Sequence, residues 1–178
     1  MDSKIAILRG INVGGKRKIL MADLKSMLNK IGIQDAVTYI QSGNVIFKSG
    51  KDNQELSQQI ESAILEKFGF EVPVIVRTAK ELEKSIKSNP FLNSDSDISK
   101  LVLTFLNEKP IKTDVETLKD FDSKEDKFVI KDKDVFIYCE GKYHQSKLTN
   151  NFFEKKLKVI ATTRNWKTVL KLMELSKD

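Results

Sequence analysis

The sequence is poor in the residue types that most often announce a chemistry. Among 178 residues there is one cysteine, Cys139, and one histidine, His144. A single cysteine excludes a disulfide within the chain and fits a reducing compartment. One Cys and one His do not assemble the Cys/His set of a structural zinc site, so neither a metal nor a cofactor is expected. Only eight glycines and three prolines are present, far from a collagen-like or low-complexity composition. No apolar run approaches the roughly 18 residues of a membrane-spanning helix. The opening "MDSKIAILRG" carries Asp2 and passes straight into an apolar run. No signal peptide is expected there, and the expected location is cytoplasmic.

What is present is the composition of a folded protein, 40% hydrophobic and 31% charged. A chain of this length buries a real core as one domain or two small subdomains. The net charge of +6 is unevenly placed. Residues 1–20 hold five Lys/Arg and one Asp, giving +4; residues 141–178 hold nine Lys/Arg and three acids, giving +6. Residues 95–140 hold eight Lys and twelve acids, giving −4. If the two basic ends meet in space they attract anions; otherwise they are solvated surface.

Hydropathy patterning reads the same order twice. "KIAILRGI" is a short apolar strand. "LMADLKSMLNKIG" puts Leu20, Leu24, Met27, Leu28 and Ile31 at helical spacing, with Gly32 as a stop. "AVTYIQSGNVIFKS" reads as two strands turning at Ser42, Gly43 and Asn44. In "DNQELSQQIESAILEKFG", Asp52 and Glu55 have capping-box spacing, Leu56, Ile60, Ile64 and Phe68 share a stripe, and Gly69 ends the helix. "VPVIVRT" is a strand; a helix follows from Thr78, with Glu81 completing a capping box, until Asn89-Pro90.

The second pass has "KLVLTFLN" as a strand and a helix capped by Thr113 and Glu116 with Val115, Leu118 and Phe121 inward. "KFVIKDKDVFIYCEG" is a hairpin. A helix follows from Thr149, with Leu148 stapling onto Phe153. "VIATT" is a strand, and the last helix is capped by Asn165 with Trp166, Val169, Leu170 and Met173 inward. The fold class expected is α+β: two ferredoxin-like βαββαβ subdomains, each followed by a helix, related as an internal duplication. The expected boundaries are 1–92 and 93–178.

Strands apolar on both sides, such as Ile5 and Ile7 alternating with Ala6 and Leu8, are buried on both faces. That argues against an open sheet stacking RNA bases, which also needs aromatics that "KIAILRG" lacks. The second face is covered by the other half or by another copy, so a homodimer is a candidate assembly.

The segment "ILRGINVGGKRKIL" raises the sharpest functional question. Gly10 and Gly15-Lys16 stand in the G-x-x-x-x-G-K spacing of a phosphate loop. Arg17 occupies the Ser/Thr position that would hold magnesium, which removes nucleotide triphosphate hydrolysis from consideration. A simpler anion site survives. Gly14 and Gly15 let backbone amides form a nest ahead of a helix N-terminus, Arg9, Lys16, Arg17 and Lys18 neutralise a phosphate or carboxylate, and Asn12 orients it. A basic turn without a ligand is the alternative.

"LRGINVGGK", "MADL", "YIQSGNVIF", "SNPF", "EGKYHQSKLTN" and "ATTRNWKTVLKL" together resemble the bacterial family called domain of unknown function 1697. The resemblance runs from about Ile5 to Leu175. It implies a soluble α+β protein with two similar subdomains, and it implies no activity.

Three other groups are candidates. His144, beside Tyr143, Ser146 and Lys147, lies between a strand and a helix and offers acid–base chemistry or a phosphate contact. Arg164 in "TTRNW" forks onto a ligand anion or onto an acid of the protein. Gln41, Ser42 and Asn44 are explained by a turn. The expected function is binding of an anionic ligand, a phosphorylated small molecule or a nucleic acid backbone, with Arg9, Asn12, Gly14, Gly15, Lys16, Arg17, Lys18, Lys147 and Arg164 as contacts. An enzyme using His144 on a small anionic substrate, or a self-associating structural protein, are the alternatives.

Overall fold

Strand β1 (Asp2–Leu8), helix α1 (Met21–Lys30), strands β2 (Val37–Tyr39) and β3 (Asn44–Ser49), helix α2 (Asn53–Phe68), strand β4 (Val74–Thr78) and helix α3 (Ala79–Lys87) make up the first half of the chain. The computed structural model describes residues 1–177. The four strands form an antiparallel sheet in the order β2-β3-β1-β4, the split βαβ arrangement expected. Local signals set the helix ends. The Asp52 carboxylate accepts from the amides of Gln54 and Glu55, and Gly69 closes α2 in the left-handed conformation. At α3 the capping box is reciprocal: Thr78 N donates to Glu81 Oε2 at 2.7 Å and Glu81 N to Thr78 Oγ1 at 3.1 Å. Leu24 and Leu28 of α1, Leu56, Ile60 and Ile64 of α2, and Ala6 and Leu8 of β1 fill one core. Leu20 does not join it. It is the residue before α1 and is 72% exposed.

The second half repeats the order with β5 (Leu101–Leu106), α4 (Lys112–Glu116), β6 (Lys127–Lys131), β7 (Asp134–Tyr138), α5 (Asn150–Leu157), β8 (Ala161–Asn165) and α6 (Trp166–Leu175). Its antiparallel sheet runs β6-β7-β5-β8. Thr149 caps α5 through Phe152 N, Asn165 caps α6 through Thr168 N, and Leu148 and Phe153 share the core with Val102 and Leu106.

Two details differ from the sequence reading. Thr113 does not cap α4: the helix starts at Lys112 after Ile111, with no side-chain cap, and stops at Glu116. Leu118 and Phe121 still pack inward, from turns beyond the helix. On α6 the buried apolar positions are Trp166, Val169 and Leu172, while Met173 is half-buried and Leu170 exposed.

The duplication is one of register rather than of letters. Arg77 pairs with Ile5 across β4 and β1, and Arg164 pairs with Leu103 across β8 and β5. Asn44 pairs with Ile7, and Asp134 with Phe105. Both arginines are buried, each followed by a capping residue and a helix. Ile5, Ile7, Leu103 and Phe105, on the inner strands β1 and β5, are fully buried, so these strands present no open surface for stacking bases. The chain divides into two compact units, Met1–Lys84 together with everything from Lys171 onward, and Ser85–Leu170. Among the described residues no helix is long and apolar enough to cross a membrane.

Candidate functional site

The glycine-rich segment folds as a miniature hairpin. Gly14 and Gly15 have φ of 59° and 72°, the pair of left-handed residues that a tight type I′ turn requires. Lys16 N donates to Val13 O at 3.1 Å, and Asn12 N donates to Arg17 O at 3.2 Å. Those two bonds close the hairpin and take up the amides of Asn12 and Lys16.

Asn12 holds the hairpin to the rest of the unit. It adopts φ 55°, a conformation asparagine tolerates better than most residues. Its Oδ1 accepts from Ile19 N at 2.9 Å, and its Nδ2 donates to Ile19 O at 2.9 Å and to Gln41 O at 2.8 Å. These bonds make Asn12 a staple of the loop. Beneath it, Ile11 and Ile19 are buried. Gly43 permits the close approach: a Cβ there would lie 2.7 Å from Ile11 Cδ1 and 2.9 Å from Leu8 Cβ.

On this stapled base stand Lys16, Arg17 and Lys18, all exposed. Among the described residues none of the three side chains forms a salt bridge. Arg17 folds back over Gly10, whose added Cβ would lie 3.3 Å from Arg17 Nη1. Arg9 leaves β1 half-buried, its amide donating to Pro73 O at 2.9 Å. Three residues after Lys18 the α1 helix begins without a side-chain cap, so its partial positive charge adds to the same region.

The other candidates lie in the other unit. His144 is exposed in a short 3-10 turn, Tyr143–Gln145, and Lys147 is exposed just beyond it. Ser146 is engaged: its Oγ donates to Asp126 Oδ2 at 2.6 Å and accepts from Leu148 N at 3.2 Å. Asp126 Oδ1 accepts from Glu140 N at 2.9 Å. The Ser146–Asp126 pair thus ties the strand exit to the start of α5, and Asp126 was not marked by any sequence pattern. Tyr143 Oη donates to Thr163 Oγ1 at 3.2 Å. Cys139, next to this group, is 2% exposed, and burial pushes its thiol up to about 11.

Arg164 is not a surface contact. It is 8% exposed, and Nη1 donates to Thr162 Oγ1 at 3.1 Å and Thr163 O at 2.9 Å. Burial lowers its pKa to about 10, still far enough above neutrality to keep the guanidinium charged. Arg77 has the same placement in the first unit. The signal for it was available in the shared Arg, cap, helix order of "VRTAKEL" and "TRNWKTV". Among the described residues no group of three or more His, Cys, Asp or Glu is placed to hold a metal ion.

The model of a family described as protein of unknown function (DUF1697) matches residues 1–136. The chain belongs to this family. The matched region includes the hairpin, Asn12 and the whole first sheet, and ends within β7. A solved structure described as a conserved bacterial protein, SP0830 from Streptococcus pneumoniae, is 22% identical and superposes with a TM-score of 0.78. The alignment covers 98% of each chain, so the likeness of fold extends past the family match to the EGKYHQ and TRNW blocks. At that identity it is a likeness of fold alone. No curated protein matches the chain.

Proposed function

We propose that this DUF1697 protein binds a phosphate-bearing polyanion, a nucleic acid backbone, through the hairpin tip Lys16, Arg17 and Lys18, with Arg9 at its base. The observation that supports this most is the set of three adjacent exposed cations without salt bridges on a loop held rigid by Asn12. A stapled loop loses little conformational freedom on binding. The tip is exposed from Val13 to Lys18, which favours a strand laid across it over a small phosphorylated molecule sunk into a pocket.

The test is fluorescence anisotropy with a labelled single-stranded 20-mer at two salt concentrations, for the wild type and the K16E/R17E variant. The expected wild-type affinity falls steeply with salt, by about 0.7 in log K per log salt for each neutralised phosphate. The variant is expected to bind at least about tenfold more weakly, with a salt slope reduced by about 0.7 per lost phosphate contact. Equal affinity for both proteins would sink the proposal. A thermal shift with a sugar phosphate that survives salt, without oligonucleotide binding, would move the reading to a small ligand.

A further inference from the structure

Three exposed aliphatic side chains stand one residue away from the hydrogen-bonded node that Asn12 makes. The Asn12 carboxamide bonds to the backbone of Ile19 and of Gln41. Val13 follows Asn12, Leu20 follows Ile19, and Ile40 precedes Gln41. Val13, Leu20 and Ile40 are 64%, 72% and 45% exposed. Apolar residues scattered singly on a surface are ordinary, whereas a gathered group marks a contact.

Two of the three occupy positions where a polar residue would serve the fold better. Ile40 has φ of 51°, a left-handed conformation that suits asparagine or glycine and strains a β-branched side chain. Leu20 sits at the N-cap of α1 and makes no side-chain cap, at a position that favours Ser, Thr, Asp or Asn. Local rules broken at exposed positions point to function.

Charge narrows the partner. Lys16, Arg17 and Lys18 lie in the chain between Val13 and Leu20, and Lys16 N donates to Val13 O. No acid occurs in residues 9–22 or 36–51, the two segments that Asn12 ties together. A second copy would bring like charge to like charge, so the partner is a polyanion with apolar faces to offer. A duplex hides the faces of its bases in the stack, while a single strand presents unpaired bases beside its phosphates. We infer that the hairpin takes single-stranded nucleic acid. Its phosphates meet Lys16, Arg17 and Lys18, and the faces of its unpaired bases lie on Val13, Leu20 and Ile40. This rests on the nucleic acid reading above and adds to it the form bound and the residues that touch the bases.

The experiment measures anisotropy with three labelled probes of equal length: single-stranded oligo-dT, the same backbone carrying only abasic sites, and a duplex. Backbone contact alone favours the duplex, whose charge density is higher. The wild type is expected to bind oligo-dT about tenfold more tightly than the abasic strand, and more tightly than the duplex. The variant V13S/L20S/I40N keeps every cation and places residues that suit the cap and the left-handed turn. It is expected to bind oligo-dT about tenfold more weakly at an unchanged salt slope, with its affinity for the abasic strand unaltered. The inference is overturned if the wild type binds the duplex or the abasic strand as tightly as oligo-dT, or if the triple variant keeps full affinity. In those cases a loss of binding in K16E/R17E leaves the backbone reading standing. Equal binding by K16E/R17E and the wild type, or no binding of any probe, overturns both. Binding of phosphatidylglycerol vesicles in place of the oligonucleotides would assign the patch to a lipid surface and overturn both as well.

Discussion

Asn12 and Ile19 are joined by two hydrogen bonds of 2.9 Å, one in each direction between the asparagine carboxamide and the isoleucine backbone. A third, from Asn12 to Gln41 O, ties the same carboxamide to the β2–β3 turn. One side chain thus fixes the hairpin, the approach to α1 and a segment from elsewhere in the sequence.

Replacing Asn12 with alanine should therefore loosen more than a loop. It removes three bonds from a part-buried site and leaves the Ile19 backbone groups and Gln41 O without their partner. Asn12→Ala is expected to destabilise by about 2–3 kcal/mol, read from urea denaturation. Amide exchange at Ile19 is expected to accelerate. A change below about 0.5 kcal/mol, the usual size for a surface substitution, would show that the carboxamide does not hold the loop.

The glycines around this loop should differ sharply in tolerance. At Gly43, φ is 87° and an added Cβ collides with Ile11 and Leu8. Gly43→Ala is expected to cost about 2–4 kcal/mol. At Gly14, φ is 59° and an added Cβ meets nothing within 4 Å. Gly14→Ala is expected to cost about 1–2 kcal/mol from backbone strain alone, and Gly14→Asn less. Thermal unfolding of the three variants checks the order, and equal effects at Gly43 and Gly14 would contradict the packing described.

Cys139 should be chemically silent. Burial raises its thiol from 9.0 to about 11, so the thiolate is scarce in the folded state at ordinary pH. Reaction with Ellman's reagent at pH 8 is expected only as the chain unfolds. A raised thiol pKa also has a sign for stability. The folded chain keeps the proton that the unfolded chain releases, so this contribution is intact below about pH 9 and is lost as pH rises through about 11. Cys139→Ala is expected to flatten that alkaline decline in denaturation midpoint. Rapid labelling of the native protein would contradict the burial.

The parts of this molecule that were readable in the sequence are those set by neighbours in the chain. Asp52 and Gly69 bracket α2, and Thr78 with Glu81 opens α3, because caps act over three or four residues. The two sheets followed from element order. The functional loop was harder. The spacing of Gly10, Gly15 and Lys16 matched a phosphate loop, but its backbone was decided by Asn12, whose partners include a carbonyl 29 residues away. Thr113 and Glu116 had the spacing of a cap, yet α4 starts at Lys112 and ends early. Arg77 passed unremarked because a lone arginine ending an apolar strand carries no pattern until its register is set beside that of Arg164.

The division of the chain also orders events in time. The first unit is built from Met1–Lys84 and from the segment that begins at Lys171, where Leu172 and Ser176 are buried. Everything between belongs to the second unit. On a ribosome delivering about 5–20 residues per second, the first sheet is complete several seconds before the last turn of α6 exists. During that interval the nascent first unit lacks the buried side chains that finish it, while the second unit is synthesised in full. Of the two units, the one begun first is closed last.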